Sequence, residues 1–307
     1  MPPTVVVLGG INMNLIALTS RLPKPGETIK GDSFYTSPGG KGGNQAVAVA
    51  RMGARVRMVG RVGADRFGGE MLDAMKHEGI DVSGVAEDAE NASGIAMILL
   101  NAERQNHIVQ IRGANLACDQ SQVDAVERAL EGAQALMLQL ELPFEVSLQA
   151  ARYAKARGVR VVWDPAPAME DIKTAYDRVD VLVPNQSEAE ILTGVEVKGP
   201  DDARVAAHRL LDAGVPMAVV KMAEQGAYFA SAHDEGFVEA PSVDVVDTVA
   251  AGDAFGGAFT MALSEGKRLS EAVRWGVAAG ALAVTKRGAQ DSMPSRGEVL
   301  ALLARNS

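Results

Sequence analysis

Ala135-Leu-Met-Leu138, then Phe144-Glu-Val-Ser-Leu-Gln-Ala-Ala-Arg-Tyr-Ala-Lys-Ala-Arg157, then Val159-Arg-Val-Val-Trp163: an uninterrupted apolar run, an amphipathic stretch at helical spacing, and a second apolar run. Continuous apolar strands separated by helices predict a parallel sheet buried on both faces. The pattern continues in both directions. Residues 5–8, 56–62, 181–183 and 218–220 read as further buried strands. Residues 44–52, 67–78, 201–212, 254–263 and 269–286 read as helices. The expected fold is a three-layer α/β/α core on a mainly parallel sheet, with right-handed crossovers.

Two stretches break the rhythm. Residues 29–36 and 94–111 have the polar alternation of strands and hairpins, with a turn expected over 101–106. A small sheet alone is marginally stable. These segments therefore read as a β-sheet lid, formed by about residues 12–36 and 94–112 and inserted beside a single domain spanning 1–307. Its exposed face could pair with a second copy. Pro23–Pro25 and Asp164-Pro-Ala-Pro167 read as short turns.

The chain has 307 residues and a net charge of −9, with 30 Lys and Arg against 39 Asp and Glu. Such a field repels nucleic acid and anionic membranes, so a phosphate must be held by local devices. No window approaches the roughly 20 apolar residues of a membrane span. The N-terminal segment reads as a first strand and not as a signal peptide. Cys118 is the only cysteine, which excludes an intrachain disulfide and suits the cytoplasm. His77, His107, His208 and His233 lack zinc-ligand spacing. A G-x-S-x-G elbow, a complete G-x-G-x-x-G and a G-x-x-x-x-G-K-[ST] are all missing.

The chemistry concentrates in three motifs. In Asp247-Thr-Val-Ala-Ala-Gly-Asp-Ala-Phe-Gly-Gly-Ala258, small residues lead to a helix start. Its free N–H groups carry partial positive charge and make an anion pocket without lysine. A carboxylate repels phosphate, so Asp253 is useful there as the acceptor of an attacking hydroxyl's proton. The alternative is that Asp253 caps the helix. Gly256 and Gly257 cost about 1 kcal/mol each in a helix interior, which favours a functional reading, although close helix packing also explains them. Pro38-Gly-Gly-Lys-Gly-Gly-Asn-Gln45 opens the next motif, a glycine corner able to surround a small polar ligand, or simply a turn with a solvated lysine. In Asn185-Gln-Ser-Glu188, Asn185 and Glu188 could organise Mg²⁺ through its waters at the C-terminal edge of the sheet. A capping box from Ser187 to Glu190 is the structural alternative.

Together these segments resemble the ribokinase (PfkB carbohydrate kinase) family, nearly end to end. The resemblance also covers Gly10-Ile-Asn-Met-Asn14, Pro25-Gly-Glu-Thr28, Gln139-Leu-Glu-Leu-Pro143 and Thr285-Lys-Arg-Gly-Ala-Gln290. It implies ATP-dependent phosphorylation of the 5-hydroxyl of D-ribose, with Asp253 as base and Ala250, Ala251 and Gly252 as an anion hole. It places Asn12, Asn14, Gly40, Lys41, Asn44 and Glu141 around the sugar. It places Asn185, Lys221, Met222, Ala223, Glu224, Gln225, Gly226, Gly252 and Val277 at ATP, with Glu188 near Mg²⁺. It implies K⁺ beside Asp247, Val249, Ala283, Lys286, Gly288 and Ser292, and a homodimer formed through the lid.

The sequence departs from the family at several positions. Asn14 stands where these kinases usually carry Asp, Ala223 where Gly is common, and Val277 where His is common. Ala254 and Gly256 replace the usual Thr and Asn. An amide accepts with its oxygen alone, so another furanose or a nucleoside is the alternative substrate. A catalytically silent sugar sensor would need no base at position 253.

Overall fold

The computed structural model describes residues 1–101 and 106–305. The expected turn over 101–106 therefore lies largely outside the described residues. In chain order the first half runs β1 (Thr4–Leu8), β2 (Asn12–Thr19), β3 (Gly31–Gly39), α1 (Lys41–Arg51), β4 (Arg55–Gly63), α2 (Arg66–His77), β5 (Asp81–Asp88), β6 (Gly94–Leu100), β7 (Asn106–Ile111) and α3 (Gln120–Ala129). The second half runs β8 (Ala135–Leu138), α4 (Phe144–Ala156), β9 (Arg160–Trp163), β10 (Val181–Leu182), α5 (Gln186–Thr193), α6 (Pro200–Asp212), β11 (Met217–Lys221), β12 (Gly226–Ser231), β13 (Glu235–Glu239), α7 (Ala251–Ser264), α8 (Leu269–Ala283) and α9 (Arg296–Arg305).

The large sheet has nine strands in the order β13-β12-β11-β10-β9-β8-β1-β4-β5. Strands β5 to β11 in that order are parallel, and β12 and β13 add an antiparallel edge. Alternation within strands divides the core into two layers. Val5 and Val7 of β1 pack with α1, α2, α7, α8 and α9, while Val6 and Leu8 pack with α3, α4, α5 and α6. The expected ribokinase-like α/β architecture is observed. The sequence reading missed β12, which is buried inside the sheet, and also β5 and β13, the two edge strands. Each leaves alternate residues exposed, so neither shows the continuous apolar run of a central strand.

A second sheet is ordered β3-β2-β6-β7. Asn14 of β2 pairs with Ala96 of β6, and Ala96 pairs with Gln110 of β7. Residues directly opposite share a face of the sheet, so Asn14 and Gln110 stand on the same side. Phe34, Tyr35, Met97, Ile108, Val109 and Ile111 are all exposed on this sheet.

Two glycines bring the chemistry-bearing elements together. Gly40 precedes α1 with φ 82°, and a Cβ there would lie 2.6 Å from the Gly10 carbonyl oxygen and 2.7 Å from the Asn12 nitrogen. The helix start and the β1–β2 corner therefore touch backbone to backbone. Gly257 does the same for the helix pair, because its Cβ would stand 2.5 Å from the Ala48 Cβ and 2.8 Å from the α1 backbone. Gly256 differs, as its Cβ would meet nothing closer than 3.7 Å. Gly257→Ala should cost about 1–3 kcal/mol through overpacking, and Gly256→Ala should gain about 0.5–1 kcal/mol from helix propensity. Urea unfolding midpoints moving in opposite directions for the two variants check this.

Candidate active site

Helix α7 begins after Ala250, which is held at φ 60° in the left-handed region. A non-glycine residue there stores local strain of the kind found at functional turns. Asp253 is the third residue of the helix and 5% exposed. Its carboxylate is turned away from the cap position. Asn44 Nδ2 donates to Oδ2 at 2.9 Å, and Gln45 Nε2 donates to Oδ1 at 3.1 Å. Both donors come from α1, so the close α1–α7 approach at Gly257 sets this geometry. Asn44 Oδ1 is buried without a protein partner, and an acceptor in that state suits a ligand hydroxyl.

Gln45 links further groups. Its Nε2 also donates to Asp164 Oδ2 at 3.0 Å, and its Oε1 accepts from Gln139 Nε2 at 2.6 Å. Asp164 Oδ1 in turn accepts from Lys221 Nζ at 3.0 Å. Asp164 and Gln45 were missed in the sequence, where Asp164 read as part of a proline turn. Its place just after β9, at the C-terminal edge of the sheet, is the signal that would have found it.

The charges perturb one another. Burial pushes the Asp253 carboxyl up to about 6, with the Asp164 carboxylate adding to the rise, while Lys41 and the two amide donors oppose it. Burial alone would lower the Lys41 ammonium, but the surrounding carboxylates of Asp253, Asp164, Glu141 and Glu188 outweigh it and hold the ammonium above its ordinary value. Burial and then Asp164 raise the Glu188 carboxyl, with Lys221 opposing.

On the other side of Asp253, Glu141 is 5% exposed. One oxygen accepts the Lys41 backbone N–H at 2.8 Å and the other accepts Gln110 Nε2 at 2.7 Å. Asn12 is buried, and its Oδ1 accepts from Asn115 Nδ2 at 2.9 Å. The Asn14 amide lies over Gly39, where a Cβ would meet its Nδ2 at 2.4 Å. Gln110 and Asn115 carry no motif and become visible only in the fold.

A cavity of about 860 Å³ opens beside the start of α7. Lys41, Asn185, Glu188, Lys221, Ala223, Glu224, Gly226, Ala250, Ala251, Gly252, Asp253 and Val277, all named from the sequence, line it. Met222 is instead fully buried in the core, and the Gln225 side chain donates to the Lys198 carbonyl. The segment 240–248 adds a wall that the sequence did not suggest, with Pro241, Val243 and Val245. The capping box lies two residues earlier than expected. Asn185 Oδ1 accepts from the Glu188 N–H at 2.9 Å and Glu188 Oε2 accepts from the Asn185 N–H at 2.7 Å, which leaves the other Glu188 oxygen for the cavity.

Behind the helix start, Asp247 accepts the N–H groups of Val249 and Gly288 at 3.1 Å each. The Ala283 carbonyl accepts the Lys286 N–H, Ser292 Oγ donates to the Ala289 carbonyl, and the Lys286 ammonium pairs with Glu298. The structure thus brings Asp247, Val249 and Gly288 together, while the side chain of Lys286 is committed elsewhere.

The site joins a mainly parallel α/β sheet, a cavity at its C-terminal edge and a buried carboxylate in the first turn of a cavity-facing helix, an arrangement compatible with a phosphotransferase that uses an alcohol acceptor. The comparisons name the class: residues 3–296 match the pfkB family of carbohydrate kinases, and the chain belongs to that family. It is 38% identical over 303 residues to ribokinase from Haemophilus influenzae, covering 99% of each chain. It is 36% identical over 292 residues to deoxyribokinase from Salmonella typhimurium, covering 95% of each. Arabidopsis thaliana ribokinase complexed with ribose and ATP superposes with a TM-score of 0.90 at 32% identity, covering 99% of each chain.

The buried carboxyl at position 253 has a consequence for stability. A folded value of about 6 against an ordinary 3.8 means that the native state binds a proton more tightly than the unfolded chain. Stability from this group is full below pH 4 and is lost as pH rises through 6. The wild-type protein should gain stability relative to Asp253→Asn by about 2 kcal/mol on going from pH 8 to pH 4, at about 1.36 kcal/mol per pKa unit. Paired denaturant titrations of both proteins across that range check the difference.

Proposed function

We infer that this carbohydrate kinase transfers the terminal phosphoryl group of ATP to the 5-hydroxyl of D-ribose, giving D-ribose 5-phosphate. The observation that carries the reading is the Asp253 carboxylate, buried beside the open start of α7 and oriented by Asn44 and Gln45. The relatives and the ribose–ATP complex of a close structural neighbour support the choice of substrates.

The geometry supports this reading. Asn12, Asn14, Gly40, Lys41, Asn44 and Glu141 hold the sugar with its hydroxyl at Asp253. Asp253 takes the hydroxyl proton as the sugar oxygen bonds to phosphorus and the bond to the departing ADP oxygen breaks. Backbone N–H groups of Ala250, Ala251 and Gly252 receive the phosphoryl charge, strengthened by the helix dipole. Asn185, Glu224, Gly226, Val277 and their neighbours hold the nucleotide. Glu188, buried beside Asp164, offers the hard oxygen chemistry that suits Mg²⁺ and its waters, and the ion when bound would offset phosphate charge. The carbonyl and carboxylate oxygens around Asp247, Val249, Ala283, Gly288 and Ser292 suit K⁺.

The small sheet acts as a lid over the sugar, excluding water that would hydrolyse ATP. Its exposed apolar side chains are covered by a second copy in a homodimer, since a patch of that kind rarely remains open to water. A cytoplasmic setting fits the lone, buried Cys118.

Asn14 favours a second reading, a kinase for another furanose. Replacing a charged acceptor in a buried site can cost about 1–3 kcal/mol of sugar binding, and the deoxyribokinase relative shows that the ribose hydroxyl pattern is not universal among such chains.

A coupled assay with ATP, Mg²⁺ and K⁺ over ribose, deoxyribose, other furanoses and adenosine tests the assignment. The highest kcat/KM is expected for ribose, and a better rival substrate overturns it. Asn14→Asp should raise kcat/KM for ribose selectively. In Asp253→Asn, kcat should fall about 100- to 10,000-fold with sugar affinity retained. In the wild type, turnover should drop tenfold per pH unit below about 6, because the base must be ionised. Replacing Na⁺ by K⁺ at fixed ionic strength should raise the rate, and an unchanged rate removes the monovalent site.

A further inference from the structure

The nucleotide side of the cavity contains a cation with unused capacity. Lys221 ends β11, and its side chain is only 12% exposed. Of its three donor hydrogens, one points to Asp164 Oδ1 at 3.0 Å. The ammonium nitrogen also stands 3.5 Å from the position of a Cβ on Gly252, in the first turn of α7. A cation facing the positive end of a helix is unfavourable unless an anion joins them. Asp164 takes one hydrogen of the ammonium, and no other acceptor among the described residues takes the remaining two, while Gln45 Nε2 holds the other Asp164 oxygen. The same Gln45 nitrogen holds Asp253. Lys221, Asp164, Gln45 and Asp253 therefore form one hydrogen-bonded chain, ending in the base at one end and in a cavity-facing ammonium at the other.

We propose that Lys221 is a catalytic residue whose ammonium grips the phosphoryl group in transit, and that Asp164 is the positioning residue that holds it at the start of α7. The proposal rests on the reading that α7 receives the terminal phosphate of ATP. As the sugar oxygen bonds to phosphorus and the ADP oxygen leaves, negative charge lies on the three equatorial oxygens. Lys221 meets that charge with its remaining donors and transfers no proton, since the hydroxyl proton goes to Asp253. A second consequence concerns the base, because the Asp164 carboxylate raises the Asp253 carboxyl while the Lys221 ammonium holds Asp164 in place.

The test compares wild type, Lys221→Met, Lys221→Arg, and the double variant Lys221→Met with Asp164→Asn, which removes the carboxylate that the single variant leaves unpaired. Calorimetry with Mg²⁺ measures binding of ADP and of the β,γ-imido analogue of ATP. In both Met-containing proteins the affinity for the analogue relative to ADP should fall at least tenfold. Steady-state kcat should fall about 100-fold with the sugar KM within threefold, and Lys221→Arg should recover at least tenfold of that kcat. In Asp164→Asn alone, the acid limb of the pH–rate profile should move to lower pH, a shift that a purely structural role would not produce. A relative affinity and a kcat within twofold of wild type in both Met-containing proteins would overturn the proposal. Normal turnover by Asp253→Asn would remove the assigned base, yet the affinity ratio would still decide the role of Lys221. An inactive Asp253→Asn beside an unchanged ratio would overturn Lys221 alone.

Discussion

The structure depends on the close approach of α1 and α7. Two helices meet over Gly257 at a distance that excludes even a methyl group, and this contact brings Asn44 and Gln45 onto Asp253. A buried carboxylate without donors would be very costly, and two amide N–H bonds offset part of that cost. The remainder is visible as the raised carboxyl of Asp253. A group poised near neutrality is well matched to proton acceptance, since it is ionised at working pH and still has real affinity for a proton. Packing and chemistry therefore rest on the same few atoms.

Around that centre, carboxylates and ammonium groups are interleaved. Asp253, Asp164, Glu141 and Glu188 all act on Lys41, and Lys221 answers Asp164 and Glu188. The acidic chain as a whole would repel a polyphosphate. In the proposed mechanism the site overcomes this with a helix dipole and two ammonium groups at short range, where low dielectric makes them effective. Reception of the phosphate is thus local, which explains how a chain with net charge −9 serves an anionic substrate.

Much of this was legible in the sequence, and the gaps have physical reasons. Most central strands announced themselves because burial on both faces demands continuous apolar residues, whereas β5 and β13 did not, because edge strands keep one face in water; the buried β12, a short run opening on Gly226, was also passed over. Gly252 and Asp253 stood out because small residues before a helix carry a local meaning. Gln110 and Asn115 gave no local signal, because neutral amides acquire such roles only from partners distant in the chain, while Gln45, Gln139 and Asp164 stood in quoted segments whose links to Asp253 appear only in the fold. The resemblance implied the whole 221–226 segment at the nucleotide, and within it the 3₁₀ turn sends the Met222 side chain into the core and the Gln225 side chain to the Lys198 carbonyl. The capping box was assigned two residues late because several polar residues in a row satisfy the same pattern.

The bond between Gln110 and Glu141 has a wider consequence. Glu141 anchors the first residue of α1 with one oxygen and a strand of the small sheet with the other. A buried carboxylate stripped of a donor costs on the order of 1–3 kcal/mol, so the sheet cannot swing away from a dry Glu141. Water, or an incoming hydroxyl, must take over the vacated lone pair at the moment of parting. In the proposed lid, Gln110 would then work as a placeholder that solvates the Glu141 acceptor while no guest is present, so that one donor is exchanged for another at little cost.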